Sequence, residues 1–180
     1  MLPMKLCWDL FSEKDLLFQD PLFDLIRLNL VDRTKVAILG NSAGGLTAIN
    51  ALCEGDLFKV AICKYPVLDL NDMHQQTHRF EKGYLNSLIG RYSKFHNDYQ
   101  LRSPIYKINH LKKPVLLFHG KKDSVISYKK TLQIKEKLLK NNKNSEVIIF
   151  DNEGHGFKNT HNKKQVIIKT QQFLEKTLNI

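Results

Sequence analysis

Ser42, Asp123 and His155 are the residues whose types, order and surroundings could together carry out nucleophilic acyl transfer. A serine hydroxyl is a poor nucleophile until a base takes its proton. A histidine can be that base, and a carboxylate behind it holds the ring in the useful tautomer. Ser42 lies in Gly40-Asn41-Ser42-Ala43-Gly44, a G-x-S-x-G pentapeptide between an apolar run and a helical pattern. In that context the turn is sharp and the serine backbone strained, so the hydroxyl stands clear of a sheet. A side chain at Gly40 or Gly44 is expected to collide with the turn. Gly45 and Ala48 are small enough to let the next helix lie close to the sheet. The helix N-terminus aims its amides where negative charge develops, and the backbone N–H of Ala43 is the expected oxyanion donor.

The partners follow in the order Ser, Asp, His. Asp123 closes His119-Gly-Lys-Lys-Asp123 after one apolar run, and His155 sits in Glu153-Gly-His-Gly-Phe157 after the next. Both positions fall at C-terminal strand ends, where open α/β sheets build their sites. A loop Asp before a Ser is also a plain helix-cap pattern, and a lone His between glycines is often structural. The shared order and context of the three residues separate them from those readings. His74, His78, His96, His110, His119 and His161 read as surface or core residues. His74 and His78 have H-x-x-x-H spacing but no following Glu or third ligand, so neither metal nor cofactor is expected.

Four apolar runs must position these residues: Lys35–Leu39, Phe58–Cys63, Pro114–Phe118 and Glu146–Phe150. Between them, Ala43–Cys53 reads as a helix. A second helix, capped by Ser127, runs to about Leu139 on Leu132, Ile134, Leu138 and Leu139. A final helix, Gln165–Leu178, carries Ile167, Ile168, Gln171, Leu174 and Leu178 at helical spacing. Strands that are apolar throughout and alternate with helices predict a parallel α/β sheet covered on both faces. Residues 69–110 are polar and aromatic and read as an insertion between the second and third strands.

The 180 residues make one domain, 42% hydrophobic, with a formal net charge of +10. The basic residues are spread out; Lys129, Lys130, Lys135, Lys137 and Lys140 read as the solvated side of the Ser127 helix. No zinc-finger, basic-zipper or aromatic RNA-binding signature accompanies them, so specific nucleic-acid binding is not expected. Cys7, Cys53 and Cys63 form no C-x-x-C pair and read as reduced thiols. No apolar run could span a membrane, and residues 1–20 lack the pattern of a signal peptide, so a cytoplasmic location is expected.

The motifs resemble the catalytic domain of the prolyl oligopeptidase family of serine peptidases, which includes dipeptidyl-peptidases and acylaminoacyl-peptidases. The likeness runs through Asn41-Ser-Ala-Gly-Gly45, Tyr65-Pro-Val-Leu-Asp69, His78-Arg-Phe-Glu-Lys-Gly-Tyr-Leu-Asn-Ser-Leu-Ile-Gly90, Arg102-Ser-Pro-Ile105, Pro114-Val-Leu-Leu-Phe-His-Gly120 and Gly154-His-Gly-Phe157. It covers roughly residues 30–178. It implies an α/β-hydrolase fold, with Ser42 as nucleophile, His155 as base and then acid, and Asp123 orienting His155. The implied reaction is hydrolysis of peptide or acyl-amino bonds of short peptides.

The chain also departs from that family. No glycine precedes Gly40, so the family's glycine-containing loop with a second oxyanion donor has no counterpart upstream of the pentapeptide. Residues 1–25, with Trp8, Phe11, Phe18 and Phe23, do not resemble the family's first strands and form an atypical segment that could act as a substitute cover. The expectation is a single, truncated domain over residues 1–180. The strand at Lys35–Leu39 becomes an edge, open to a second polypeptide or a second copy of the chain, and activity alone is weak or absent. A carboxylesterase-like hydrolase on the same fold, or a non-catalytic interaction fragment, is the alternative.

Overall fold

Each apolar run forms a strand of one parallel sheet in the computed structural model, which describes residues 19–76 and 79–180. Cys7, Trp8, Phe11, Phe18 and His78 lie outside the described residues. Helix α1 (Gln19–Arg27) leads to a 3₁₀ turn at Arg33–Lys35 and then to β1 (Ala37–Asn41). Helix α2 (Ala43–Glu54) joins β1 to β2 (Val60–Lys64). Four helices follow: α3 (Leu70–Gln76), α4 (Arg79–Ile89), α5 (Tyr92–Leu101) and α6 (Pro104–Lys107). Strand β3 (Val115–Gly120), helix α7 (Tyr128–Asn141), β4 (Glu146–Phe150) and helix α8 (Thr160–Leu178) complete the order. The strands lie in the spatial order β1-β2-β3-β4.

The first three strands sit about two residues later than the apolar runs suggest. Asp32 accepts the Thr34 N–H at 2.8 Å and holds Lys35 in the 3₁₀ turn, so pairing starts beyond Val36. At the other end, Asn41 still pairs with Lys64 and Gly120 with Phe150. Helix α8 begins five residues before its apolar pattern, because the Asn159 side chain accepts N–H groups from His161 and Asn162 at 2.8 and 3.3 Å.

Alternate residues of the central strands feed two cores. Ala61, Cys63, Val115 and Leu117 pack with Ile49 and Leu52 of α2 and with Ile134 and Leu138 of α7. Val60, Ile62, Leu116 and Phe118 pack with Phe173 and Leu178 of α8 on the opposite face. Each large side chain buried this way stabilises by roughly 1.5–3 kcal/mol.

Two helix faces differ from the sequence expectation. In α7 the buried positions are Thr131, Ile134 and Leu138, while Leu132 and Leu139 are exposed. That face follows the i, i+3, i+7 stripe touching the sheet. Lys130 is partly buried and ion-paired; its Nζ lies 2.9 Å from Asp69 Oδ2 and 3.3 Å from Asp72 Oδ1. In α8 the buried residues are Phe173 and Leu178, whereas Ile167 is 68% exposed.

The insertion is fastened by buried polar groups. Ser103 Oγ accepts the Leu70 N–H at 2.8 Å and donates to the Tyr99 carbonyl at 2.6 Å. The Asn50 side chain of α2 donates to the Arg102 carbonyl at 2.8 Å. Asp69 caps α3 by accepting the N–H groups of Asn71 and Asp72.

Among the described residues β1 has no partner on its outer side. A groove of about 980 Å³ runs between that edge and α8, lined by Leu39, Ile62, Val166, Ile167, Leu174 and Ile180 among others. It reaches Asn41 and Gly44, beside Ser42.

Candidate active site

Ser42 stands between β1 and α2 with φ 53° and ψ −119°, a left-handed conformation that a non-glycine residue adopts only under constraint. Its N–H donates to the Lys64 carbonyl at 3.0 Å, and its own carbonyl accepts N–H groups from Gly45 and Val67. A Cβ on Gly40 would lie 2.0 Å from the Gly44 carbonyl oxygen, so that position admits glycine only. Gly44 is different: an added Cβ meets nothing within 4 Å, contrary to the expected collision, because the residue faces the open groove. The second tight position is Gly45, where a Cβ would come 2.6 Å from Pro66 Cβ in the loop after β2. Ala48, one turn further along α2, is fully buried.

Ser42, Asp123 and His155 come from the C-terminal ends of β1, β3 and β4 and meet in one hydrogen-bonded line. His155 Nε2 is 3.0 Å from Ser42 Oγ, and His155 Nδ1 is 2.9 Å from Asp123 Oδ2. An ionised carboxylate only accepts, so Nδ1 carries the hydrogen and Nε2 is left to accept from the serine hydroxyl. The Ala43 N–H follows Ser42 directly at the start of α2.

The Asp123 side chain is shielded from solvent. Oδ1 accepts N–H groups from Val125 and Ile126 at 2.9 and 2.8 Å. Burial alone would push its pKa up. Hydrogen bonds from His119, the Ile126 N–H, His155 and the Val125 N–H outweigh burial and hold the carboxyl at about 2. Such a carboxylate stays ionised at neutral pH and keeps His155 oriented.

Three residues beyond the sequence candidates join the site. Tyr65, at φ 39°, lays its ring 4.6 Å from the His155 ring, with Phe157 edge-on to it at 5.3 Å. Burial and the nearby Asp123 charge raise its phenol pKa. Glu153 is buried and accepts the Lys158 and Asn159 N–H groups and the Asn162 amide at 2.8–3.0 Å. It thereby ties the His155 loop to the start of α8. His119 is fully buried, with Nε2 3.3 Å from Asp123 Oδ2. The sequence carries a signal for two of these: Glu153 lies two residues before His155, and His119 ends an apolar strand just ahead of Asp123. Tyr65 opens the Tyr65-Pro-Val-Leu-Asp69 segment of the family resemblance, but nothing in that segment places its ring against His155.

The remaining candidates stay outside the site. His74 stacks on Tyr92 at 4.3 Å in the insertion. Cys63 is buried and burial raises its thiol pKa; Cys53 is pushed up to about 11 by burial, and both are free. Among the described residues no three His, Cys, Asp or Glu side chains gather as metal ligands would. No helix among them is long and apolar enough to cross a membrane.

Residues 22–180 match the prolyl oligopeptidase family. The chain is 24% identical over 159 residues to the dipeptidyl aminopeptidase BIII of Pseudoxanthomonas mexicana, across 85% of this chain and 23% of that protein. It is 27% identical over 164 residues to the uncharacterized peptidase YtmA of Bacillus subtilis (strain 168), across 91% of this chain and 61% of that one. The crystal structure of a puromycin hydrolase superposes with a TM-score of 0.81 at 28% identity, over 88% of this chain and 24% of that chain. The chain thus spans between about a quarter and three-fifths of these relatives. The parallel sheet with helices on both faces is the α/β-hydrolase fold. With the family match extending over nearly all of the described residues, the chain belongs to the prolyl oligopeptidase family.

Proposed function

We propose that this chain provides the acyl-transfer machinery of a serine peptidase acting on peptide or acyl-amino bonds of short peptides. The observation that carries the reading is the continuous line from Ser42 Oγ through His155 to Asp123, at 3.0 and 2.9 Å. Ser42 Oγ attacks the carbonyl carbon while its proton passes to His155 Nε2. Asp123 stabilises the imidazolium that forms, and the Ala43 N–H faces the developing oxyanion. His155 then gives the proton to the leaving amine as the C–N bond breaks, leaving an acyl-serine. Water attacks that ester with His155 again as base, and Ser42 is released.

The same reading includes a dependence on the open side of the sheet. The β1 edge and its groove border Asn41 and Gly44, next to the nucleophile. A second polypeptide or a second copy of the chain covering that edge would exclude water and steady the turn at Ser42. Alone, the single domain of residues 1–180 turns over peptides weakly. A cleft with one oxyanion donor instead of two loses on the order of 10²–10³ in rate.

Fluorophosphonate labelling of the purified chain tests the chemistry, because only an activated serine reacts. Labelling is expected in the wild type and is abolished in Ser42→Ala; an unlabelled wild type, or a labelled Ser42→Ala, refutes the proposal. Fast turnover of a peptide nitroanilide by the chain alone, lost in Ser42→Ala, would contradict the weak-activity part only. Hydrolysis of esters with no cleavage of any peptide substrate would favour the carboxylesterase-like alternative.

A further inference from the structure

Asp123 serves two histidines. One is His155; the other is His119, at the penultimate position of β3, with no solvent exposure. Its Nε2 lies 3.0 Å from the Ile126 carbonyl oxygen and 3.3 Å from Asp123 Oδ2. Both are acceptors, so Nε2 carries the hydrogen. Its Nδ1 lies 2.8 Å from Thr131 Oγ1 and accepts that hydroxyl. Thr131 is the buried α7 position where the apolar pattern pointed to Leu132 instead. A threonine there keeps a hydroxyl in an otherwise apolar face, and that hydroxyl meets this imidazole.

The geometry has a purpose beyond filling space. Asp123 Oδ1 is spoken for by the Val125 and Ile126 N–H groups, which set where the carboxylate sits. The other oxygen, Oδ2, faces both histidines. His155 meets Oδ2 from the cleft side, where its own side chain is 24% exposed. His119 holds Oδ2 from the interior, on a ring locked at both nitrogens. It remains in place when His155 shuttles its proton.

We propose that His119 is a positioning residue: its Nε2–H, locked by Thr131 and the Ile126 carbonyl, fixes the Asp123 carboxylate toward His155. The proposal rests on the serine-hydrolase reading above. It assigns a functional part to a histidine whose sequence context reads as plain core, and a reason for Thr131 to face inward.

The test uses the full 180-residue chain and a fluorophosphonate probe, with labelling rate followed against probe concentration. His119→Leu keeps the bulk and removes both nitrogens. Its maximal labelling rate is expected to fall about tenfold, the scale of one lost hydrogen bond to a charged group, with the half-saturating probe concentration unchanged. His119→Gln places an amide N–H near the position of Nε2 and should stay within about threefold of wild type. Thr131→Val, which frees the ring at Nδ1, should fall between them. A packing role alone would lower the melting temperature and leave the folded molecules labelling at the wild-type rate, which overturns the proposal. Should His119→Leu fail to fold, Thr131→Val decides: labelling at the wild-type rate overturns the proposal, and a severalfold slower rate upholds it. An unlabelled wild type overturns the serine-hydrolase reading itself, whereas a labelled wild type matched by His119→Leu overturns only the role of His119.

Discussion

The C-terminal end and the outer side of strand β1 face very different surroundings. At its C-terminal end, Ser42 is held by a strained turn and a hydrogen-bonded line to residues from two other strands. Along its outer side, the same strand leaves backbone groups without a strand partner among the described residues, with Leu39 61% exposed beside Ile167 at 68% and Ile180 at 65%. The contrast shows that a polar constellation can form while the strand carrying it has an open edge among the described residues. The site is built by loops at the strand ends, and each of its hydrogen bonds is satisfied there. The edge is apolar area along the sheet, and only another element laid against it can remove that area from water.

Substitutions on the two sides should therefore behave differently, and the largest effect belongs to the turn. Gly40→Ala forces a Cβ to within 2.0 Å of the Gly44 carbonyl oxygen, a backbone atom that cannot step aside. The expected cost is roughly 3 kcal/mol, read in urea unfolding, with loss of probe labelling. Gly44→Ala, four residues along the same turn, should cost under about 1 kcal/mol, since its Cβ meets open space. Equal losses for the two would erase the distinction between the packed turn and the open groove.

The next effect sharpens the site's side of the comparison through pH. The Asp123 pKa in the folded chain, about 2, lies below its unfolded value near 3.8. A depressed carboxylate contributes stability that is fully present above the unfolded value and is lost as pH falls through the folded one. The difference in melting temperature between wild type and Asp123→Asn should thus be constant above pH 5 and shrink between about pH 4 and pH 2. A difference that stays flat across that window would mean the carboxylate gains nothing from its four hydrogen bonds.

The smallest effect on stability belongs to the edge. Leu39→Lys and Ile167→Lys alter side chains already in water, and each should change unfolding free energy by no more than about 0.5 kcal/mol. Where copies of the chain associate over that edge and its groove, a lysine on β1 at 39 or on α8 at 167 should abolish the association, measured by sedimentation against concentration, because a charge there opposes strand pairing and burial. A wild type that sediments as a monomer at every concentration, with or without these changes, would point to a different polypeptide as the cover.

The strands and helices were legible because their signals are local. Apolar runs, the G-x-S-x-G turn and the Ser127 cap each act within a few residues, and the order Ser, Asp, His follows from the strand ends they occupy. The three candidate residues could be named from the chain for the same reason. Their neighbours were harder to read. Leu132 and Thr131 are adjacent in sequence, and only the angle at which α7 meets the sheet decides that the threonine turns inward. Glycine at 44 or 45 looks equally tight on paper, but Pro66 from a distant loop crowds one and the groove opens beside the other.

By itself, then, the sequence determined the order of the four strands along the chain, the parallel α/β class and which serine, aspartate and histidine stand as candidates, because periodicity and turn chemistry are written into short segments. The tertiary structure alone decided that Ile167 faces out and Phe173 in, and that His119 rather than any other remaining histidine approaches the carboxylate of Asp123. Those outcomes depend on which surfaces meet across long stretches of chain, and contact between distant residues is a property of the packed fold, not of any local pattern.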